Sequence, residues 1–414
     1  LGGNALSEDK SPEVATPGNI PLRSQLPVYA AGIFSNGAIQ LAAVVVPLWM
    51  LHVDSSPLMV GIALGSRQIL PVLLSIHGGA LMDRIGIRKV MIWFSILGAV
   101  TPFLFPLFPF FAAVILLQML GGISAAMGWI GTQAQIGAVM KGEPKYAGRV
   151  TFFNRFGMLV GPPATGAAWD FAGPWGGFGF LGFWGIALTL SCLAMPKPVK
   201  GEIGSGDENY SRLTVREVLP RLTDYTSAFR LIAIPTVAFV IAVTLIRHSS
   251  NGIQTSFYVV WLESIGLTGT MIGTLISASA VLGSVGSISA GWLAKKFTAY
   301  RVLVVSVCLA ILLIAITPML GTFVLLLGAM GLRGGFMGVS QPLLISLMSQ
   351  SSGRQQGKGV GLRTTVNRLS ILVTPVIMGA MAEFIGIAPT FYVVGGFLVL
   401  LMLFVAFKSR NSFK

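Results

Sequence analysis

The stretch GRVTFFNRFGMLVGPPATGAAWDFAG, residues 148–173, occurs a second time in altered form as KGVGLRTTVNRLSILVTPVIMGAMAEFIG, residues 358–386. A single offset of 213 positions pairs the polar and helix-breaking residues of the two copies: Asn154-Arg155 with Asn367-Arg368, Pro162 with Pro375, Gly166 with Gly379, Asp170 with Glu383, and Gly173 with Gly386. Self-similarity at a fixed offset is the signature of a duplicated structural unit. The sequence therefore predicts two related halves.

The composition indicates that both halves lie in a membrane. The mean hydropathy is +0.80 and only 10% of the residues are charged, and about 20 apolar residues suffice for a helix to cross a bilayer. Twelve such segments are predicted, at 27–51, 57–82, 90–109, 111–139, 148–171, 175–195, 231–262, 267–293, 301–319, 321–349, 359–384 and 389–407. We number them spans 1 to 12. The prediction is an all-α polytopic protein of two six-helix halves, 27–196 and 230–408.

The polar segments are predicted to lie on one side of the membrane. They are a disordered tail at 1–26, a linker at 197–229 that contains an amphipathic helix, and a short tail at 409–414. If both termini are on one side, that side carries 23 of the 28 Lys and Arg. The only charged residues of the opposite connections and the adjoining span ends are Asp54, Asp170, Glu263 and Glu383. Because basic loops stay inside, both termini are expected in the cytoplasm, in the inner membrane of a bacterium. The net charge of +14 then indicates contact with anionic lipid headgroups, and nucleic acid is not expected as a partner.

The connection between spans 2 and 3 carries a recognisable motif. The sequence GALMDRIGIRK, residues 79–89, resembles the pattern G-x-L-x-D-R-x-G-x-[RK]-[RK] of the major facilitator superfamily (MFS), whose 6+6 plan also matches. The resemblance implies a secondary transporter that works by alternating access. Its gating residues here would be Gly79, Asp83, Arg84, Gly86 and Arg88. By the same resemblance, Asp83 pairs with Arg363 or Arg368 at the inner end of span 11.

Span 5 contains a second pattern, Gly157-x-x-x-Gly161-Pro162-x-x-Thr165-Gly166. It is similar to a motif of MFS export antiporters, with Thr165 in place of one glycine. Small residues allow helices to approach closely, and Pro162 bends the span. Gly157, Gly161 and Gly166 are therefore predicted to face a helix of the opposite half. Packing between the halves and a signature of transport direction both remain open.

Five arginines lie within the apolar spans and away from their ends, namely Arg67, Arg155, Arg247, Arg333 and Arg368, whereas none of the 14 acidic residues does so. A charge at the bilayer centre costs at least about 2.5–3.5 kcal/mol. Such an arginine could bind backbone carbonyls, face water or bind an anion. Arg67, Arg247 and Arg333 are predicted at the midplane, around a cavity between the halves, with Arg67 opposite Arg247. Arg155 and Arg368 are expected nearer the cytoplasmic end, as gating residues.

Further polar residues are predicted at cavity depth. The uncharged ones are Asn36, Gln40, Asn251, Gln254 and Gln341. His248 could carry a coupling proton or could be a polar packing residue. Ser249, Ser250, Asn251 and Gly252 are poor helix formers in succession, so span 7 is predicted to bend or unwind there.

The favoured function is secondary-active transport of a small organic anion or carboxylated compound. Proton-coupled efflux of drugs or metabolites is an alternative, although embedded acids that would attract cations are missing. A non-transporting assembly factor or receptor is a third possibility. The sequence has no G-x-x-x-x-G-K-[ST] loop, and its two cysteines, Cys192 and Cys308, predict neither a metal site nor a disulfide. We therefore expect no enzyme activity, cofactor or metal, and a monomer.

Overall fold

A computed structural model describes residues 20–140, 144–196, 231–351 and 356–410. The predicted linker at 197–229 and most of both tails lie outside the described residues. The described chain forms the α-helices Leu22–His52, Pro57–Ser66, Ile69–Ile85, Ile87–Leu107, Phe111–Ala138, Pro144–Ala194, Pro235–Gln254, Phe257–Ser264, Gly269–Lys296, Ala299–Ala315, Phe323–Ser351, Gln356–Ile385 and Ile387–Ser409. Short 3-10 turns occur at Leu231–Ala233 and Thr317–Met319.

These helices correspond to the twelve predicted spans. In the described part of the chain, ten helices are long and apolar enough to cross a membrane, and Ala299–Ala315 is a shorter apolar helix that forms span 9. The longest helix, Pro144–Ala194, is spans 5 and 6 joined at a kink, where Gly173 has φ +57°. The equivalent Gly386 joins spans 11 and 12 with φ +84°. Both turns need the left-handed region that glycine occupies readily, so the duplication extends to backbone geometry.

Spans 2 and 8 begin in the same way. Ser56 Oγ accepts a hydrogen bond from Met59 N at 3.4 Å, and Thr268 Oγ1 accepts one from Met271 N at 3.3 Å. A hydroxyl at this position satisfies one of the free N–H groups of the first helical turn. These caps fix where each span starts at the same face of the protein.

Span 7 is broken, but later than the sequence predicted. The helix runs unbroken through Ser249 and Gly252 to Gln254, and resumes at Phe257. The prediction of a bend at Ser249–Gly252 is therefore wrong. Tertiary packing overrides the low helix propensity, since a Cβ atom on Gly252 would lie only 2.8 Å from Thr374 of span 11. The break follows where Ser256 Oγ donates to the Gly252 carbonyl at 2.6 Å, a bond that competes with the helix.

The two faces of the bundle differ in charge. We call the face at which Asp54, Asp170, Glu263 and Glu383 lie, in connections or at the ends of helices, the acidic face. The opposite face, with Arg88, Lys89, Arg149, Lys295, Lys296 and Arg301, is the basic face. Large apolar side chains cover the outside of the bundle between them; Phe171, Ile288 and Phe384 are at least 85% exposed, as expected where lipid is the solvent.

The halves contact each other along two helix pairs near the acidic face, span 5 with span 8 and span 11 with span 2. A Cβ atom added to Gly166 would lie 1.9 Å from the Gly269 carbonyl oxygen, and one added to Gly273 would lie 2.2 Å from the Pro162 carbonyl oxygen. Backbone-to-backbone contact this close requires glycine. We call these two helix pairs the acidic-face gate.

The second pair has the same construction. A Cβ atom added to Gly61 of span 2 would lie 2.3 Å from the Pro375 carbonyl oxygen, and one added to Gly379 of span 11 would lie 2.5 Å from the Pro57 carbonyl oxygen. The gate is thus built from equivalent positions in the two halves, and it is closed in this structure.

The glycines of span 5 do not share one face. A Cβ atom on Gly157 would lie 2.3 Å from the Ile33 carbonyl oxygen, and one on Gly161 would lie 2.3 Å from Leu41 Cδ1. Both neighbours belong to span 1 of the same half, so the prediction that Gly157 and Gly161 face the opposite half is wrong. Only Gly166 does so, because five residues after Gly161 the helix has turned by about 140° to another face.

Candidate functional site

A cavity of about 430 Å³ lies between the halves, on the basic-face side of the gate. Its volume falls in the range of small-molecule sites. It is lined by residues of spans 1, 5, 7, 8 and 10: Asn36, Gln40, Ala43, Thr151, Asn154, Arg155, Met158, Arg247, Asn251, Gln254, Thr255, Ile276, Ser279, Ala280, Gly283, Ser287, Arg333, Gly334, Met337, Gly338 and Gln341.

The lining is basic and rich in hydrogen-bonding groups. Three arginines contribute to it, and none of its residues in the described part of the chain is Asp or Glu. Seven residues that the sequence suggested for substrate binding are brought together here: Asn36, Gln40, Arg247, Asn251, Gln254, Arg333 and Gln341. A negatively charged or strongly hydrogen-bonding molecule would find donors on both sides.

Sequence reasoning missed part of this lining. Span 8 contributes Ser279, Gly283 and Ser287, which recur at every fourth position and so share one helix face. This four-residue spacing of small residues could have identified the cavity-facing side of span 8 from the sequence. Asn154 is 7% exposed, and its Oδ1 lacks a hydrogen-bond partner within the described residues.

Arg67 does not line the central cavity. It lies at the break in span 2, where its Nη1 donates to Gln118 Oε1 at 3.1 Å, beside a separate cavity of about 40 Å³ inside the N-terminal half. The expected placement of Arg67 opposite Arg247 is therefore wrong. Gly61 and Gly65 of span 2 face span 11, and two residues further the helix has rotated by about 200°, away from the opposite half.

Arg155 is the cavity arginine of the N-terminal half. It is exposed to the cavity, and its Nη1 donates to Ser284 Oγ of span 8 in the opposite half. Its position one turn along span 5 from Met158, which also lines the cavity, explains why a residue expected only at the cytoplasmic end reaches the site.

Arg247 and Arg333 connect spans 7 and 10 reciprocally. Arg247 of span 7 donates from Nε to Ser340 Oγ at 2.8 Å and from Nη2 to the Met337 carbonyl at 3.1 Å. Arg333 of span 10 donates from Nη2 to the Ser250 carbonyl at 3.0 Å and from Nη1 to Gln254 Oε1. Each guanidinium thus binds the other helix.

The hydrogen bonds between spans 7 and 10 do not use every N–H group of the two guanidinium groups. A guanidinium has five N–H groups, and the bonds of Arg247 to Ser340, Met337 and His248 occupy three of them. Arg333 is 1% exposed, and its Nε has no partner within the described residues. A role in helix packing and a role in binding are therefore compatible for Arg247, whereas the unpaired Nε of Arg333 is itself buried.

His248 lies against Arg247 rather than against an acid. Its Nε2 is 3.2 Å from Arg247 Nη1. Because arginine can only donate, Nε2 must accept, and the ring is neutral in this contact. His248 is not among the residues that line the cavity. This position favours the polar packing residue over the proton carrier that the sequence also suggested.

The predicted gating residues near the basic face are described only in part. Gly79, Asp83 and Arg84 are not among the residues whose surroundings the structure describes, so the pairing of Asp83 with Arg363 or Arg368 stays a prediction. Gly86 forms the turn between spans 2 and 3 with φ +97°. Arg88 Nη2 donates to the Leu193 carbonyl at 2.7 Å, which joins span 3 to the end of span 6.

The chain matches the family described as Major Facilitator Superfamily over residues 28–261 and again over residues 240–413. Among curated proteins it is similar to Multidrug resistance protein 1 of Bacillus subtilis, with 24% identity over 91% of this chain and 94% of the relative. It is also similar to Quinolone resistance protein NorA of Staphylococcus aureus, with 22% identity over 86% of this chain and 89% of that protein.

Solved structures share the fold. The nucleoside transporter NupG superimposes with a TM-score of 0.76 and 14% identity, over 94% of this chain and 100% of its own. A bacterial homolog of the human lysosomal transporter Spinster, in an inward-facing and unoccupied conformation, superimposes with a TM-score of 0.72 and 15% identity, over 95% of this chain and 98% of its own. The duplicated twelve-span architecture is therefore that of these transporters.

Proposed function

Because the chain belongs to the major facilitator superfamily, a family of membrane carriers, we propose that it is a secondary-active transporter of a small organic anion. The observation that carries this proposal is the charge of the central cavity. Arg155, Arg247 and Arg333 line it, and no acid does so among the described residues. An anion bound there would neutralise positive charges contributed by both halves.

The charges also suggest how an anion would be held. Arg155 comes from the N-terminal half, whereas Arg247 and Arg333 come from the C-terminal half. A carboxylate accepts two parallel hydrogen bonds from one guanidinium, and Arg247 has two N–H groups to spare. The surrounding amides, among them Gln40 and Asn251, would bind neutral polar parts of the substrate.

The proposed orientation has the basic face in the cytoplasm, since basic connections stay inside, and the protein in the inner membrane of a bacterium. In that orientation the cavity lies on the cytoplasmic side of a closed external gate. Alternating access would then consist of opening the span 5–span 8 and span 11–span 2 contacts while the basic-face ends close.

Efflux of drug-like compounds is the second candidate. It is favoured by the names of the two curated relatives, a multidrug and a quinolone resistance protein. Binding of organic cations within a membrane usually depends on an embedded acid, and none lines the described cavity. Drugs that carry a carboxylate are compatible with both candidates.

Flux measurements in proteoliposomes test the proposal. We expect uptake or exchange of some members of a radiolabelled carboxylate panel, and none of the matched amines. Arg155→Gln should lower carboxylate transport at least tenfold, because a hydrogen bond to a charged group is worth about 1.5–3 kcal/mol. Arg67→Gln, outside the cavity, is the matched control and should retain carboxylate selectivity. Transport of the amines alone would refute the anion proposal.

A further inference from the structure

Two acidic residues reach across the gate to the opposite half. Asp170, at the acidic-face end of span 5, accepts hydrogen bonds from Gly269 N at 2.6 Å, from Thr270 N at 2.8 Å and from Thr270 Oγ1 at 2.6 Å. Glu383, at the acidic-face end of span 11, accepts one from Leu58 N at 3.1 Å. Each carboxylate therefore caps the first turn of a helix that belongs to the other half.

The two contacts are equivalent under the duplication. Asp170 and Glu383 are 213 positions apart, and the capped residues Leu58 and Thr270 are 212 positions apart. The gate contacts along the same helices keep these offsets. In spans 5 and 11, Leu159, Pro162 and Gly166 correspond to Leu372, Pro375 and Gly379. In spans 2 and 8, Gly61 and Gly65 correspond to Gly273 and Ser277. The strongest repeat in the sequence thus encodes the gate.

We propose that Asp170 and Glu383 are a pair of latches that hold the acidic-face gate closed. The first N–H groups of a helix have no partner within the helix, and its positive dipole end attracts an anion. When the halves separate at this face, carboxylate and N–H groups both return to water. The cap therefore stabilises the closed state alone, which is the condition for shifting the equilibrium between two states.

Glu263, another acid of this face, is arranged differently. Glu263 lies in the last turn of the helix Phe257–Ser264, where the dipole repels a negative charge, and its carboxylate makes no hydrogen bond among the described residues. Removing its charge should not favour the open gate. Glu263 is thus a control for charge removal without loss of a cap.

Spin-label distance measurements in nanodiscs test the latches without assuming a substrate or an orientation. The background carries Cys192→Ala and Cys308→Ala, with labels at Phe108→Cys and Gly321→Cys, which lie on acidic-face connections of opposite halves away from both caps. Replacing a capping side chain by alanine costs ~1 kcal/mol, so Asp170→Ala and Glu383→Ala should each raise the ratio of open to closed gate about fivefold. Together they should raise it about 25-fold, since distant sites add.

Glu263→Ala should leave the ratio at that of the parent. If Asp170→Ala fails to fold, Thr270→Val, which removes one of the three bonds to Asp170, should give a smaller shift toward the open gate. The proposal is overturned if the two latch variants leave the distance distribution unchanged, or if Glu263→Ala opens the gate as much as they do. Either outcome leaves the proposed anion substrate unaffected, because the readout contains no ligand.

Discussion

Replacing Gly273 by alanine should open the acidic-face gate. The added Cβ atom would lie 2.2 Å from the Pro162 carbonyl oxygen and 2.7 Å from Pro163 N. Both are backbone atoms, which cannot rotate away. Span 5 and span 8 must separate by about 1.2 Å to restore an ordinary contact of 3.4 Å. Overpacking of this kind costs about 1–3 kcal/mol, so the ratio of closed to open gate should fall about 5- to 150-fold.

The accessibility of the cavity measures this shift. A single reporter, Ala43→Cys in a background without Cys192 and Cys308, lines the cavity. In sealed vesicles it should react with an impermeant maleimide added at the acidic face much faster in Gly273→Ala than in the parent. Gly291→Ala is the control on the same helix, since a Cβ atom there meets nothing within 4 Å. Equal labelling rates for the two variants would refute the packing argument.

Three further predictions concern residues near the cavity and the basic face. Arg247→Lys should retain weak anion binding and Arg247→Ala should abolish it, because lysine keeps the charge without the bidentate geometry; calorimetry checks this, and undiminished binding in Arg247→Ala would make the residue a packing group only. Gly161→Leu should lower the melting temperature by several degrees without locking either access state, since it displaces Leu41 inside one half; a thermal melt with unchanged midpoint would contradict it. Asp83→Asn should slow turnover while leaving equilibrium affinity nearly intact, and a transport rate equal to that of the parent would exclude its gating role.

Most of the architecture could be predicted because it depends on periodicities that the sequence contains. The twelve spans follow from apolar length, and the two halves follow from the repeat that pairs Asp170 with Glu383. The C-terminal side of the cavity was also predictable, since Arg247, Asn251 and Gln254 recur at helical spacing in one span. Their neighbours, such as Ser340, could not be identified before the helix packing was known.

The predictions that failed depended on the direction of a side chain. Arg67 is as deeply embedded as Arg247, but it lies at a break in span 2 and faces span 4 through Gln118. Gly161 looked like part of an interface between the halves, yet its neighbour is Leu41 of span 1. The position of a residue within a predicted span gives its depth along the membrane normal. The direction in which its side chain points depends on the rotation of the helix about its axis, and that rotation depends on which helices pack around it.

The central claim is that the cavity selects negative charge. A thermal-shift screen of the purified protein measures this directly, with pairs of compounds that share a ring and differ only in bearing a carboxylate or an amine, because a ligand of the folded state raises its apparent stability. The account predicts stabilisation by one or more carboxylates, none by their amine partners, and loss of the effect in Arg247→Ala. Stabilisation by the amines, with no response to any carboxylate, would contradict it.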